Sequence, residues 1–245
     1  MSKKDWYTGW FNSPFYHKLY FQRDEKEAAA FIQKLISYLK PPPQSLMLDV
    51  ACGRGRHSKM LASLGYHVTG IDISPESIAY AKKFENEQLD FFVHDMRLPF
   101  WGNYFDYAFN FFTSFGYFKN RREHDNALRT IANGLKPGGH FIIDYLNVHF
   151  VEDHIIPNQE KKLGTTHYEI LKWSDENYFY KKIIITDVRM GKPGWGNAQS
   201  THGEHIAMTW GTRGTETSKY PEEKKSNEIP SVVASERGRA QTGCA

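Results

Sequence analysis

A run of small residues at positions 48–55 is the first feature of this sequence that could do chemistry. It reads Leu48-Asp49-Val50-Ala51-Cys52-Gly53-Arg54-Gly55, an apolar stretch followed by a glycine-rich loop. Small residues at 51, 53 and 55 permit positive φ angles and let the backbone approach a bound ligand closely. The run therefore predicts a strand that ends in a ligand-binding loop.

Two carboxylates follow this loop at the ends of the next two predicted strands. Asp72 lies nineteen residues beyond Gly53, the separation at which dinucleotide-type folds place a carboxylate on ribose hydroxyls. Asp95 follows the third predicted strand, in Val93-His94-Asp95-Met96. An Asp after a strand is usually a turn or helix cap. The joint spacing nevertheless favours ligand binding at both positions.

These motifs, in this order, resemble those of class I S-adenosylmethionine-dependent methyltransferases. The loop at 48–55 is similar to the family's first motif, and Gly134-Leu135-Lys136-Pro137-Gly138-Gly139 is similar to the turn before its fifth strand. Phe109-Asn110-Phe111 stands where the fourth strand ends. The resemblance covers about residues 46–148 and comes with an atypical or truncated C-terminus. It implies a methyltransferase that uses S-adenosyl-L-methionine.

The resemblance also implies a cofactor site. Asp72 would bind the ribose, and Asp95 would lie near the adenine amino group. Asp49 would either hold the loop through backbone amides or face the ammonium group of the cofactor. The predicted cofactor-binding residues are Asp49, Ala51, Gly53, Gly55, Asp72, Ile73, Asp95, Met96, Asn110, Tyr16, Tyr20 and Arg23.

The aromatic segment 10–20 looks like a lid over the cofactor. Tyr16, Tyr20 and Arg23 could reach the cofactor carboxylate, since a hydroxyl or a guanidinium is what a carboxylate needs. The alternative is aromatic packing on the sheet. Acceptor-side residues are expected after the fourth and fifth strands: Phe112, Ser114, Tyr117, Tyr145, Asn147 and His149.

No catalytic base stands out in the sequence, and the catalytic residues stay unknown. In this family the cofactor supplies the electrophile, so the protein chiefly orients the reactants and excludes water. His149, Tyr117 and Tyr145 are the candidates for a base.

Helix and strand patterns alternate around these motifs. An amphipathic helix, with apolar residues three and four apart, ends at Pro41-Pro42-Pro43. Ser74 before Pro75 predicts a helix start, and Lys136–Gly139 predicts a turn. The alternation predicts an α/β fold, a Rossmann-like, mostly parallel, doubly wound sheet with helices on both faces. Residues 166–187 predict an added β-hairpin.

The predicted organisation has three parts. Residues 1–45 form the N-terminal lid and helix, residues 46–188 form the methyltransferase-like core with its hairpin, and residues 189–245 form a disordered tail. The tail contains neither Leu nor Phe and has no helical or strand periodicity. Its one β-leaning run, at 231–234, predicts at most a short strand. An out-of-frame or foreign C-terminus would have the same composition.

Composition excludes several classes of protein. The 245 residues are 40% hydrophobic and 24% charged, the balance of a soluble globular protein. The net charge of +3 and the pI near 8.6 allow a nucleic-acid partner without indicating one. Two cysteines cannot build a disulfide framework, the first residues lack a signal-peptide h-region, and no apolar run is long enough for a membrane helix. We expect a cytoplasmic protein without a membrane partner.

The charge pattern favours a small-molecule acceptor. Arg121-Arg122, Lys161-Lys162 and Lys181-Lys182 are scattered pairs, not a continuous basic track. Two alternatives stay open: an RNA methyltransferase, or a cofactor-binding protein inactive because its C-terminus is abnormal. A nicotinamide dehydrogenase is disfavoured because Ser58 stands at the third glycine position counted from Gly53. His202-Gly203-Glu204-His205 is too little to predict a metal site.

Overall fold

The computed structural model describes residues 6–20, 25–112, 114–118, 120–145, 147–174 and 179–187, and the backbone of two short strands at 203–206 and 232–235. The helices are α1 (Trp6–Phe11), α2 (Pro14–Tyr20), α3 (Glu25–Leu39), α4 (Arg56–Ser63), α5 (Pro75–Ala81), α6 (Arg121–Gly134) and α7 (Val148–His154). The strands are β1 (Leu46–Val50), β2 (His67–Asp72), β3 (Leu89–Val93), β4 (Phe105–Asn110), β5 (Leu135–Asp144), β6 (Asn158–Leu163), β7 (Thr166–Ser174), β8 (Phe179–Asp187), β9 (Gly203–Ile206) and β10 (Val232–Ser235).

The chain packs as two compact units. The first unit comprises residues 1–12, 23–145 and 222–245, and the second comprises residues 13–22 and 146–221. The boundaries of these units differ from the predicted boundaries at 45 and 188. The predicted division into three parts therefore stays a prediction. Among the described residues, no helix is both long enough and apolar enough to cross a membrane.

The first unit is built on a parallel sheet in the order β10-β5-β4-β1-β2-β3. Successive side chains of a strand point to opposite faces, so Met47 of β1 packs in one core cluster while Leu48 and Val50 pack in the other. Ile32 of α3 and Leu61 of α4 join the first cluster, and α6 covers the second. The predicted Rossmann-like sheet with helices on both faces is confirmed.

The Lys136–Gly139 turn lies within β5. The register between β4 and β5 jumps from Phe105 opposite Leu135 to Tyr107 opposite His140. Because the intervening residues of β5 have no partner in register, they bulge out of the ladder, with Gly138 at φ 78°. The predicted turn is therefore a bulge in a longer strand.

The second unit contains an antiparallel sheet in the order β6-β7-β8-β9. Its centre is the predicted hairpin, in which Thr166 pairs with Asp187 and Ser174 with Phe179. On one face of the hairpin Tyr168 and Ile183 are buried, and the Tyr168 hydroxyl donates to the Phe15 carbonyl of α2 at 3.0 Å. The hairpin is confirmed, while α7 and β6 were not predicted.

Two strands fall within the range predicted to be disordered. Strand β9 pairs antiparallel with β8, and β10 pairs parallel with β5 through Val232 opposite Phe141. Strand β10 overlaps the run at 231–234 for which the sequence predicts at most a short strand, whereas β9 was not predicted, because strand pairing there overrides a polar local sequence. The rest of the predicted tail, residues 189–245, lies outside the described residues and stays a prediction.

Candidate cofactor site

The loop after β1 adopts the backbone conformation that its small residues predict. Ala51, Gly53 and Gly55 have φ angles of 59°, 57° and 75°. The Cys52 N–H donates to the Ile71 carbonyl of β2 at 2.9 Å, and the Gly55 N–H donates to the Cys52 carbonyl at 3.0 Å. Since this left-handed region is strained for L side chains and unstrained for glycine, Gly53 and Gly55 suit their positions. The predicted positive φ angles at all three positions are confirmed.

Gly53 and Gly55 serve different purposes in this loop. A Cβ built on Gly55 would overlap the Phe91 ring, as would one on Gly70 of β2. These two glycines therefore make room for an aromatic side chain in the core. A Cβ on Gly53 would meet no atom within 4 Å. Gly53 thus offers a bare backbone facing open space, as close approach to a ligand requires.

Asp72 connects the end of β2 to this loop. Its Oδ2 atom accepts the Gly53 N–H at 2.8 Å, and its Oδ1 atom accepts the Ser74 N–H at 2.8 Å. The carboxylate is half-buried, and burial raises its pKa although both backbone bonds act in the opposite direction. Each carboxylate oxygen has a second lone pair, so Asp72 retains acceptor capacity for a ligand hydroxyl.

Asp49 lies beneath the loop and is almost completely buried. Its Oδ2 atom accepts the Ser58 hydroxyl of α4 at 2.5 Å. Burial raises its pKa to about 7, and the nearby Asp72 carboxylate adds to that rise while Ser58 opposes it. Burial also raises the pKa of the Cys52 thiol well above its usual value. Cys52 is therefore not an activated nucleophile.

Asn110 is fully buried at the end of β4. Its Nδ2 donates to the Val50 carbonyl at 2.9 Å, and its Oδ1 accepts the Phe115 N–H at 3.1 Å. Both ends of the amide thus bind backbone, joining β1 to the loop after β4. This geometry gives Asn110 a positioning role, and its predicted contact with the cofactor stays a prediction.

Asp95 is engaged by an arginine two residues further along the chain. The Arg97 guanidinium donates to Asp95 Oδ2 at 2.6 Å and to Oδ1 at 3.1 Å, and also to Glu123 of α6 at 3.1 Å. Thr130 of α6 donates to the Met96 carbonyl at 2.5 Å. These bonds fasten the loop after β3 to α6, and Arg97 competes with any ligand for Asp95.

The remaining predicted site residues lie in three places. Ile73 and Met96 are half-buried in the loops after β2 and β3. Tyr16 and Tyr20 pack against each other in α2, within the second compact unit, with ring centroids 4.9 Å apart. Arg23 lies outside the described residues, and the His149 side chain is likewise not described. The predicted lid and the predicted base at His149 therefore stay predictions.

The acceptor-side candidates of the first unit gather after β4 and β5. The Tyr117 ring packs edge-on against Phe11 with centroids 5.4 Å apart. The Tyr145 hydroxyl lies 3.5 Å from the position of a Cβ on Gly116. The role of either tyrosine as a base stays a prediction.

Sequence reasoning named Phe112 but missed the side chains that pack against it. Phe112 adopts φ 58°, its N–H donates to the buried Asp144 carboxylate at 3.0 Å, and its ring stacks on His57 at 4.8 Å. The Arg56 guanidinium carbon also lies over the Phe112 ring, 4.5 Å from its centroid. The one available signal was Asp144 itself, a lone carboxylate ending the apolar run Phe141-Ile142-Ile143.

These residues fit a nucleoside cofactor. The bare Gly53 backbone and the Asp72 carboxylate lie together at the carboxyl end of the sheet. From β1 the chain continues to β2 and β3 on one side and then to β4 and β5 on the other, so the strand order reverses beside β1. Open α/β sheets bind their ligands at this switch point. Within the described part of the chain no cluster of metal-ligating side chains occurs.

Comparison with known proteins agrees with this fold. Residues 48–143 match the family described as "Methyltransferase domain". The chain has a TM-score of 0.57 to an S-adenosylmethionine-dependent methyltransferase from Clostridium acetobutylicum, with 18% identity, covering 81% of this chain and 79% of that one. Residues 48–143 therefore match a methyltransferase domain, and the described fold is similar to that of an S-adenosylmethionine-dependent methyltransferase.

Two curated relatives have names that state an acceptor. Glycine N-methyltransferase of Rattus norvegicus is 29% identical over 151 residues, which cover 55% of this chain and 51% of the relative. A dTDP-3-amino-3,4,6-trideoxy-alpha-D-glucopyranose N,N-dimethyltransferase of Streptomyces venezuelae is 31% identical over 107 residues, covering 43% and 44%. The chain thus spans about half the length of the curated relatives it matches.

Proposed function

We propose that this protein transfers a methyl group from S-adenosylmethionine to a small-molecule acceptor. The observation that carries the proposal is the bond between the Gly53 N–H and the Asp72 carboxylate, in a loop whose three small residues have positive φ. It places an unobstructed backbone and a carboxylate side by side at the switch point of the sheet.

Each of the described residues has its own role in binding the cofactor. Asp72 accepts the ribose hydroxyls, and Gly53 leaves the backbone open to the cofactor. Ala51 and Gly55 hold the loop in its left-handed conformation, and Ile73 and Met96 supply apolar surface for the adenine. Asp95 is the candidate acceptor for the adenine amino group, in competition with Arg97.

Asp49 supports the same site from below. Its buried carboxylate holds Ser58 at the start of α4 and has its pKa raised by burial to about 7. A positive group on the ligand side would favour the ionised form of this carboxylate. Asp49 therefore suits either of its two predicted roles, loop support or proximity to the cofactor ammonium.

S-adenosylmethionine, when bound, supplies an electrophilic methyl group. The protein then needs to align the acceptor in line with that methyl group and to exclude water. The loop after β4, held by Asn110 and Asp144, is the candidate for this task within the first unit. Tyr117, Tyr145 and His149 remain candidates for receiving the acceptor's proton.

Two observations support a small acceptor over RNA. The basic residues occur as separate pairs, whereas RNA binding uses clustered charge along a path. The two named relatives are N-methyltransferases of glycine and of an amino sugar. A small molecule carrying an amine is the acceptor class that agrees with both.

The decisive experiment separates cofactor binding from transfer. Calorimetry measures binding of S-adenosylmethionine and S-adenosylhomocysteine, and labelled cofactor is then incubated with the small-molecule and RNA fractions of a cell extract. We expect binding of both compounds and label in the small-molecule fraction. Label in RNA would support an RNA methyltransferase, and binding without transfer would support the inactive alternative. Absence of binding would refute the proposal.

A further inference from the structure

Arg97 holds the Asp95 carboxylate through three of its N–H groups. The Arg97 backbone N–H donates to Asp95 Oδ1 at 2.9 Å, Nη2 donates to Oδ2 at 2.6 Å, and Nε lies 3.1 Å from both oxygens. A carboxylate offers about four lone-pair positions to donors. Three donors from Arg97 therefore leave room at Asp95 for a single further donor.

The Arg97 guanidinium is fixed from its other side as well. Its Nη1 donates to the Glu123 carboxylate of α6 at 3.1 Å, and its central carbon lies 5.3 Å from the centroid of the Phe118 ring. The side chains of Arg97 and Asp95 are only 18% and 19% exposed, so solvent screens this pair little. Because the guanidinium is fixed and binds both carboxylate oxygens, the orientation of Asp95 is fixed too.

The loop that carries Asp95 is bonded to the residue that we assign to the ribose. The His94 N–H donates to the Asp72 carbonyl at 2.9 Å. On the other side of Asp95, the Met96 carbonyl accepts the Thr130 hydroxyl of α6. The backbone is thus anchored on both sides of Asp95. Since adenine is bonded to the ribose, this loop is the segment expected beside the base.

We propose that Arg97 is a positioning residue for adenine recognition, which orients the Asp95 carboxylate so that its remaining lone pair accepts one N–H of the 6-amino group. This inference rests on the proposed function, because it takes S-adenosylmethionine as the ligand. Arg97 acts through Asp95 and does not itself touch the cofactor. Its competition for Asp95 selects the ligand group: an amino group with one N–H towards the carboxylate fits, whereas a diol that needs both oxygens does not.

Two ligands that differ by one amino group test the recognition of the base. Calorimetry compares S-adenosylhomocysteine with its deamino analogue, in which hydrogen replaces the 6-amino group of adenine. The full-length wild type should bind S-adenosylhomocysteine about tenfold to a hundredfold more tightly, the range for one hydrogen bond to a charged group. The ratio of the two dissociation constants is the readout, because a purely structural effect weakens the binding of both compounds alike.

Variants of Arg97 show whether this ratio depends on the guanidinium. Arg97→Met should lose most of the preference, by weakening the binding of S-adenosylhomocysteine while the deamino analogue binds as it does to the wild type. Arg97→Lys keeps the charge without the planar fork, so it should retain part of the preference. Arg121→Met is the matched control, since Arg121 of α6 is 77% exposed and lies 3.9 Å from Asp125. It should keep the wild-type ratio, and circular dichroism checks that each variant is folded.

A double substitution tests whether Arg97 acts through Asp95. Asp95→Ala alone should remove the preference for the amino group. Adding Arg97→Met to Asp95→Ala should then leave the affinity for S-adenosylhomocysteine unchanged, because two residues that serve one contact are not additive. A further loss of affinity in the double variant would reveal a route that bypasses Asp95 and would overturn the positioning role.

Other results separate this inference from the proposed function. Equal binding of the two compounds by the wild type overturns the inference without any variant, and leaves the proposed function standing because the cofactor product is bound. A wild-type ratio in Arg97→Met, or tighter binding of S-adenosylhomocysteine by that variant, shows that Arg97 does not position Asp95 for the base. A wild-type protein that binds neither compound overturns the proposed function as well.

Discussion

The Asp72 carboxylate accepts the Gly53 N–H at 2.8 Å and so joins the end of β2 to the loop after β1. The same carboxylate accepts the Ser74 N–H, at the residue whose hydroxyl caps α5. Asp72 thus fixes the backbone of two loops as well as presenting an acceptor to a ligand. Its substitution should affect both the apoprotein and the cofactor complex.

Replacement of Asp72 separates these two effects. Asp72→Ala should weaken S-adenosylmethionine binding by about tenfold to a hundredfold, since a hydrogen bond to a charged group contributes about 1.5–3 kcal/mol. Asp72→Asn, which keeps one carbonyl oxygen, should lose less. Calorimetry gives the dissociation constants, and urea unfolding without cofactor measures the loop contribution. An unchanged dissociation constant in Asp72→Ala would remove this residue from the cofactor site.

Gly53 and Gly65 form a matched pair for testing the loop. Both have positive φ, 57° and 89°, and a Cβ at either would meet no atom within 4 Å. Gly53→Val and Gly65→Val should therefore lose similar stability, about 1–2 kcal/mol from the left-handed backbone. We expect cofactor binding to be abolished in Gly53→Val alone, because there the side chain takes up ligand volume. Equal binding by both variants would contradict the assignment of Gly53.

The raised pKa of Asp49 predicts a pH-dependent stability. The unfolded carboxyl titrates near its usual pKa of 3.8, whereas in the fold burial raises the pKa to about 7. Between these values the folded state binds more protons, so the free energy of unfolding falls as pH rises from about 4 to 7.

Asp49→Asn should flatten this dependence. The amide oxygen can still accept the Ser58 hydroxyl, and the variant carries no ionisable group at this position. Relative to wild type, it should therefore gain stability as pH rises through that window, by an amount on the order of a few kcal/mol. Urea unfolding at several pH values measures the difference. Parallel pH profiles for the two proteins would show that Asp49 titrates normally.

Local sequence was sufficient to predict the elements that end in the site. The apolar run Leu46–Val50 and the Ser74-Pro75 helix start appear in the structure as predicted. Strand β6 was missed because Asn158–Leu163 is polar and largely exposed, so no apolar alternation marks it. Strands β9 and β10 owe their pairing to neighbours distant in sequence, which local pattern does not report.

The site shows the same division between local and distant effects. Positive φ in the loop follows from residue size, and it was predictable. The position of Asn110 after a strand was also evident, but its two backbone partners include Val50, sixty residues away. The ion pair between Arg97 and Asp95 depends on the packing of the loop after β3 against α6, where Arg97 also binds Glu123. Side-chain partners that depend on tertiary packing could not be predicted from the sequence.

Replacement of Asn110 decides whether its amide binds the cofactor directly or positions the loop after β4. Asn110→Ala leaves the Val50 carbonyl and the Phe115 N–H without a partner, at about 1–3 kcal/mol for each buried group. Asn110→Asp should be at least as harmful, because a carboxylate cannot donate to Val50 and would be buried with its charge. Exposed Asn133→Ala is the control and should change stability little. If urea unfolding shows wild-type stability in Asn110→Ala while calorimetry shows weaker cofactor binding, Asn110 is a direct ligand and the positioning role is wrong.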